Sequence, residues 1–297
     1  MPLLDFAASS WGKSPEVARF TTFYLFATAL MAGIAVVLPF ISVRIIGRRF
    51  FVLMSFVAIA LFAVAVAAAG IETGYFHVAC AGLLTAYNIA LPPQAGIDQS
   101  LRRKAAGGDS GHVVSWVSWL LLIASAICGM TGVVVDAVHH PASLQMTGGQ
   151  DLWLSLSFVT ASLLLGSAVT GMVLGHWYLV VRDASFEPLA IVTRILLAAI
   201  GLRTLVSLGA ATGQADRWSQ LISNAGLTEF FLGTGIFIFA RWGFGLLAPG
   251  VMGWMAWKCV KIKSNQSATG ILYVVVAFVL IGEILAKYFL LSEGLAL

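Results

Sequence analysis

Long apolar runs, separated by short basic or Gly/Pro-containing connections, cover almost the whole chain. Eight of them reach or approach the roughly 20 residues a helix needs to cross a bilayer core of about 30 Å. They lie near 20–43, 50–70, 74–91, 113–138, 153–180, 189–211, 228–257 and 268–291. The third is the least regular, because Tyr87 and Asn88 interrupt its end ahead of Pro92 and Pro93. The seventh carries Gly233, Gly235, Gly243, Gly245, Gly250 and Gly253 around Pro249, and the donor missing from proline predicts a bent or irregular helix there. No polar stretch between the spans is long enough for a soluble domain. The pattern predicts an all-α integral membrane protein, a bundle of about eight transmembrane helices forming one domain over residues 1–297. Residues 1–18, with Phe6 and Trp11, read as a short interfacial segment; Asp5, Lys13 and Glu16 leave it no apolar core of signal-peptide length. No sequence repeat marks two transporter halves.

Composition supports the membrane assignment. The chain is 60% hydrophobic and 10% charged, against about 25% charged residues in soluble domains. The placement of the charges sets the orientation. Arg44, Arg48 and Arg49 follow the first span, Arg102, Arg103 and Lys104 the third, and Lys258, Lys261 and Lys263 the seventh, while Arg182 and Arg194 flank the fifth-to-sixth connection. These alternate connections hold 11 of the 17 Lys and Arg residues, against Lys13, Arg19 and Arg217 on the opposite side. Basic loops face the cytoplasm, so an even number of spans with both termini non-cytoplasmic is predicted. Cys80, Cys128 and Cys259 fall within or beside apolar segments without a C-x-x-C pair; they read as small buried hydrophobes, and no metal site is expected.

Four ionisable residues lie at membrane depth, where charge is costly and faces a bundle interior or a cavity. Arg203 is about 15 residues from the inner end of the sixth span, Arg241 about 13 from the outer end of the seventh and Glu283 about 15 from the inner end of the eighth, with Lys287 one turn farther out. All four fall between mid-depth and the outer half. Glu283 and Lys287 are spaced i,i+4 with the acid first, the favourable order, and either arginine is placed to neutralise Glu283 from a neighbouring helix. One reading is a buried salt-bridge lattice that only fixes packing. The other is a polar pocket open to a quinone headgroup or another small ligand, with Glu72, His77 and Glu229 extending it toward the surface. In the second reading Arg203, Arg241, Lys287 and His77 bind quinone, and Glu283 is the catalytic, proton-moving group.

The histidines give a further test. His77 opens the third span and His139 and His140 close the fourth on the outer side; His112 opens the fourth on the inner side, and His176 sits about one turn inside the inner end of the fifth. Paired outer and inner histidines are the ligand plan of a two-haem transmembrane cytochrome. His112 and His139 are 27 residues apart, however, about 40 Å of helix and longer than the hydrocarbon core. At most one b-type haem fits, with His176 and His112 as candidate ligands. His176 is the better of the two because it alone lies within an apolar span. The competing reading is a hydrogen bond from His176 to a neighbouring helix. Ser167, Gly171 and Gly175 beside it form a small-residue strip suited to close helix contact.

No P-loop, H-E-x-x-H or nucleophile elbow is present, and the short loops leave no catalytic domain for hydrolysis or phosphoryl transfer. The last span reads Gly282-Glu283-Ile284-Leu285-Ala286-Lys287-Tyr288-Phe289 after Ser267-Ala268-Thr269-Gly270 and an apolar run. This stretch of about 25 residues resembles the final span of membrane anchor subunits of the dimethyl sulfoxide reductase and polysulfide reductase type. The resemblance implies an eight-helix, quinone-interacting subunit (menaquinone or ubiquinone) of a respiratory complex. It further implies iron–sulfur or cytochrome partner subunits on the non-cytoplasmic side of the bacterial cytoplasmic membrane. The expected function is therefore exchange of electrons and protons with the quinone pool. A solute or ion transporter using the charged cavity, and a non-catalytic membrane anchor or assembly protein, are the alternatives. Membrane lipid is an expected partner and nucleic acid is not.

Overall fold

The computed structural model describes residues 15–69, 74–91, 116–139, 150–180, 185–215, 218–220, 223, 235–292 and 294–295. Eight helical rods follow the apolar runs: α1 Pro15–Val37, α2 Arg48–Ala69, α3 Tyr75–Ala90, α4 Trp116–Val138, α5 Gln150–Val180, α6 Glu187–Gly213, α7 Ile236–Lys261 and α8 Asn265–Ser292. There is no strand among the described residues. Seven of the rods are long and apolar enough to cross a membrane. The other, α3, has 16 residues, about 24 Å of helix. Large apolar side chains point outward from the bundle, among them Phe56 at 69% exposure, Ile89 at 79%, Trp116 at 72% and Leu247 at 70%. Such a surface is at home in hydrocarbon and not in water, and the protein is an all-α integral membrane protein.

The helix ends and irregularities have local causes. α1 stops at Val37 in a 3-10 turn over Leu38–Phe40 that contains Pro39, so the first apolar run does not continue as one helix to residue 43. The polar pair at the end of α3 does not break the helix. Tyr87 is buried against Phe51, the Asn88 side-chain amide donates to the Leu84 carbonyl at 2.7 Å, and Arg48 donates to the Asn88 carbonyl at 3.1 Å. A terminal carbonyl is thus satisfied by a cation, which also suits the helix dipole. α7 carries the irregularity expected around Pro249: Gly243–Leu247 is π-helical between two α-helical pieces. Proline offers no N–H to the carbonyl four residues back, and a wider turn just before it absorbs the fault.

The rods pack as two rings of four. In the first, α1 packs on α2 and α4, and α3 on α4 and α2; in the second, α5 packs on α6 and α8, and α7 on α8 and α6. The rings meet along α1 and α5, flanked by α4 on α5 and α1 on α8. Exchanging the two rings maps each of these contacts onto another, so the connectivity is two-fold although the sequence carries no recognisable repeat. α1 and α5 are also the most enclosed rods, 78% and 67% buried over their apolar windows against 28–44% for the other five. Glycine makes their approach possible. A Cβ on Gly33 would overlap the Ser162 carbonyl, and one on Gly166 would overlap the backbone of Gly33.

Candidate functional site

Each ring holds a buried polar cluster at its centre. In the second, Glu283 of α8 accepts from Arg203 of α6 through both oxygens, Nε to Oε1 at 2.9 Å and Nη2 to Oε2 at 3.1 Å. Arg241 of α7 adds Nη2 to Oε1 at 3.1 Å, and Arg203 Nη1 donates to the Ser157 hydroxyl of α5 at 2.6 Å. Both arginines and the carboxylate are fully buried. The fork-to-carboxylate geometry is the strong, bidentate form of the pair. Helical rise accounts for the meeting. Arg203 lies 16 residues into α6, Glu283 18 into α8 and Arg241 20 before the end of α7, so all three stand about 24–30 Å from the end of the bundle where α7 turns into α8.

Two glycines give Arg241 its berth. Gly245, in the π-helical turn, and Gly282, beside Glu283, bring α7 and α8 into backbone contact, and a Cβ on either would collide with the other helix or with Nη1 of Arg241. The guanidinium lies across this seam. Its Nε and Nη1 have no hydrogen-bond partner among the described residues.

The i,i+4 pair of Glu283 with Lys287 does not form. Glu283 turns to the two arginines instead, and the Lys287 ammonium sits 3.3 Å over the ring of Phe158 on α5, itself 2% exposed. The reason is geometric: two planar guanidiniums fill the carboxylate's acceptor directions, and the aromatic face is the attraction left for the ammonium. Lys287 still interacts electrostatically with Glu283, Arg203 and Arg241, and also with Asp136 of the first ring.

In the first ring, His77 of α3 bonds through Nε2 to Asp136 Oδ2 of α4 at 2.9 Å. The imidazole is 0% exposed and the Asp136 side chain 12%. The ring lies directly on Gly132, where a Cβ would come within 2.7–3.0 Å of Cε1, Nδ1 and Nε2. Tyr24 of α1 stands edge-on at 6.2 Å, and Phe62 of α2 lies tilted at 6.1 Å. Nδ1 has no partner among the described residues. All four helices of the first ring thus contribute to this site, as all four of the second do to the arginine cluster. In both, the third helix supplies a basic group and the fourth the acid, and in the second ring α6 adds the further cation Arg203.

The structure therefore joins Arg203, Arg241 and Glu283 directly. It sets Lys287 beside them without an ion pair and puts His77 in a separate cluster. His176 faces the outside of α5, where Nδ1 lies 3.0 Å from the Tyr273 hydroxyl of α8, a bond to a neighbouring helix. His139 closes α4 and uses Nδ1 on the Val135 carbonyl at 2.8 Å. His112, Glu72, Glu229 and His140 lie outside the described residues, as do Arg102, Arg103, Lys104, Arg182 and Arg217. Asp136, Ser157 and Phe158 were not singled out from sequence. A carboxylate within Val133-Val134-Val135-Asp136 is a usable signal, but two residues from a helix end it ordinarily reaches headgroup water. A lone serine or phenylalanine in a span carries no signal at all. Comparison of the chain with protein-family models, with curated protein sequences and with solved structures finds no match in any of the three.

Proposed function

We propose that this protein is the membrane subunit of a respiratory oxidoreductase that exchanges electrons and protons with the quinone pool of the bacterial cytoplasmic membrane. Its partners are iron–sulfur or cytochrome subunits on the non-cytoplasmic side. The observation that carries this reading is His77, a fully buried imidazole with Nε2 held by Asp136 and Nδ1 left without a partner among the described residues. Such an imidazole is an acid–base unit. With Asp136 ionised, the Nε2–H donates to it. The neutral ring then presents a lone pair at Nδ1 and the protonated ring an N–H, with Asp136 steadying the cation.

The residues fit a quinone on chemical grounds. Quinone oxygens accept hydrogen bonds and quinol hydroxyls donate them; His77 Nδ1 does either, and in the separate cluster of the second ring Arg241 keeps Nε and Nη1 unspent. A bound quinone supplies the two-electron, two-proton redox chemistry. The chain's part is to hold an oxygen, exclude water through Tyr24, Phe62 and the helix walls, and take or give a proton at Nδ1. A proton taken at Nδ1 is matched by release of the Nε2 proton to Asp136, whose side chain is 12% exposed. Glu283, bound by three N–H groups of two arginines, serves here as the counter-ion that keeps the guanidiniums in place. In this reading the partner subunits carry the electrons. The resemblance of the last span to respiratory anchor subunits supports the same conclusion.

His77→Gln and Asp136→Asn, purified with whatever subunits accompany the chain, are expected to cut quinol-dependent turnover at least tenfold, about 1.4 kcal/mol in barrier, at unchanged folded yield. Folded His77→Gln protein turning over quinol at the parent rate would remove the basis of the proposal. The topology belongs to it as well: eight spans, α3 included, with both termini outside. A cysteine placed at Lys261 is expected to resist an impermeant thiol reagent in intact cells and to react after lysis; labelling before lysis would reverse the orientation.

The two-fold connectivity of the rings favours a second reading, a transporter, because parallel repeats about an axis normal to the membrane are a transporter plan. Solute-dependent flux in liposomes containing the chain alone, with no quinol turnover by the purified assembly, would decide for it.

A further inference from the structure

On α7, Leu247, Val251, Trp254, Lys258 and Lys261 succeed one another at spacings of three or four and so share one face of the helix. The first three line an apolar groove of about 840 Å³ against Ile200 and Thr204 of α6. The groove extends from Phe239 to Trp254, about 22 Å along the helix. Glycine keeps it open: a Cβ on Gly243 would meet nothing within 4 Å, and one on Gly250 only Ile200. Thr204 spends its hydroxyl on the Ile200 carbonyl at 2.8 Å.

At Trp254 the chemistry changes within one turn. The Lys258 ammonium lies 5.1 Å from the Trp254 ring and 5.8 Å from that of Trp257, and Lys261 lies 3.7 Å over Trp257. These cation–π contacts hold two flexible side chains at the mouth of the groove. Lys263 follows in the turn, exposed, with a left-handed backbone at φ 58°. Arg194 is exposed on α6 one turn beyond Leu197, which packs at Gly253. None of these cations is paired with a carboxylate among the described residues.

We infer that this face binds an anionic phospholipid, one acyl chain in the groove between α6 and α7 and the phosphate at Lys258, Lys261 and Lys263. The groove has the length and polarity of an extended acyl chain, and the cations stand where that chain's headgroup would emerge. Charge decides between lipids, since a zwitterionic headgroup brings its own cation against the lysines. The site lies on the outer surface of the second ring and does not rest on the quinone reading.

The test uses the full chain, stripped of lipid in a neutral detergent, with phosphatidylglycerol and phosphatidylcholine of identical acyl chains as probes. Retained lipid is counted by native mass spectrometry and stabilisation is read as the shift in Tm. The parent protein is expected to retain phosphatidylglycerol and to gain a Tm shift at least twice that given by phosphatidylcholine. Lys258→Gln/Lys261→Gln/Lys263→Gln is expected to lose at least tenfold in apparent affinity for phosphatidylglycerol while its response to phosphatidylcholine stays the same. Gly243→Leu, at a groove-lining position where an added Cβ meets nothing within 4 Å, is expected to weaken both lipids. Equal retention of the two lipids by the parent, parent-like affinity in the triple variant, or unchanged binding in Gly243→Leu would each overturn the inference.

Discussion

Glu283→Leu is expected to destabilise the folded protein by about 3–5 kcal/mol, the cost of leaving buried charge uncompensated. Two guanidiniums, both fully buried, would lose their shared carboxylate at once. Arg203 would keep the Ser157 hydroxyl, but Arg241 makes its hydrogen bond to Glu283 alone among the described residues. The comparison with Arg203→Met/Arg241→Met/Glu283→Leu separates the charge cluster from simple packing. Removing all three charged groups together is expected to return most of the lost stability, because desolvation of the charges disappears along with their attraction. Reversible unfolding in mixed micelles measures both. Glu283→Gln addresses function: as a counter-ion, Glu283 should cost stability when neutralised, with turnover falling only in proportion to folded protein. Fully folded Glu283→Gln protein with turnover down tenfold would restore it as a proton-moving group.

The second large effect is expected at the seam between the rings. Gly166→Ala and Gly33→Ala each put a methyl group into the opposing backbone, which cannot rotate away as a side chain would. Overpacking a core costs about 1–3 kcal/mol where side chains can adjust; here the rods themselves must separate, and the loss should reach the upper end of that range or exceed it. α1 and α5 carry the main contact between the rings, so the two variants should also lower the yield of monodisperse protein. Gly201→Ala and Gly270→Ala, whose added Cβ meets nothing within 4 Å, are the controls and should leave Tm within a degree or two of the parent. Parent-like stability of Gly166→Ala would mean that the close approach does not hold the rings together.

The all-α membrane architecture was legible in the sequence because it depends on a quantity summed along the chain. A segment of apolar residues long enough to span hydrocarbon must satisfy its own backbone hydrogen bonds and so must be helical. The rods accordingly follow the apolar runs, although α1 ends six residues before its run does, and Pro249 marks the irregular turn of α7 because a missing N–H is a local fact. Arg203, Arg241 and Glu283 were legible as a group because helical rise converts residue number into depth, and charges at one depth seek each other. Rise does not supply rotation about the helix axis. Spacing alone therefore offered Lys287 to Glu283, whereas the packing of α5 against α8 turned it onto Phe158. The same missing angle hid Asp136 as the partner of His77, placed His176 on the outside of α5, and concealed the two-fold contact pattern, which lies in who touches whom and not in any repeated string of residues. Depth in the membrane follows from composition and count; facing is decided only when eight rods, several of them apolar all round, compete for the same interior.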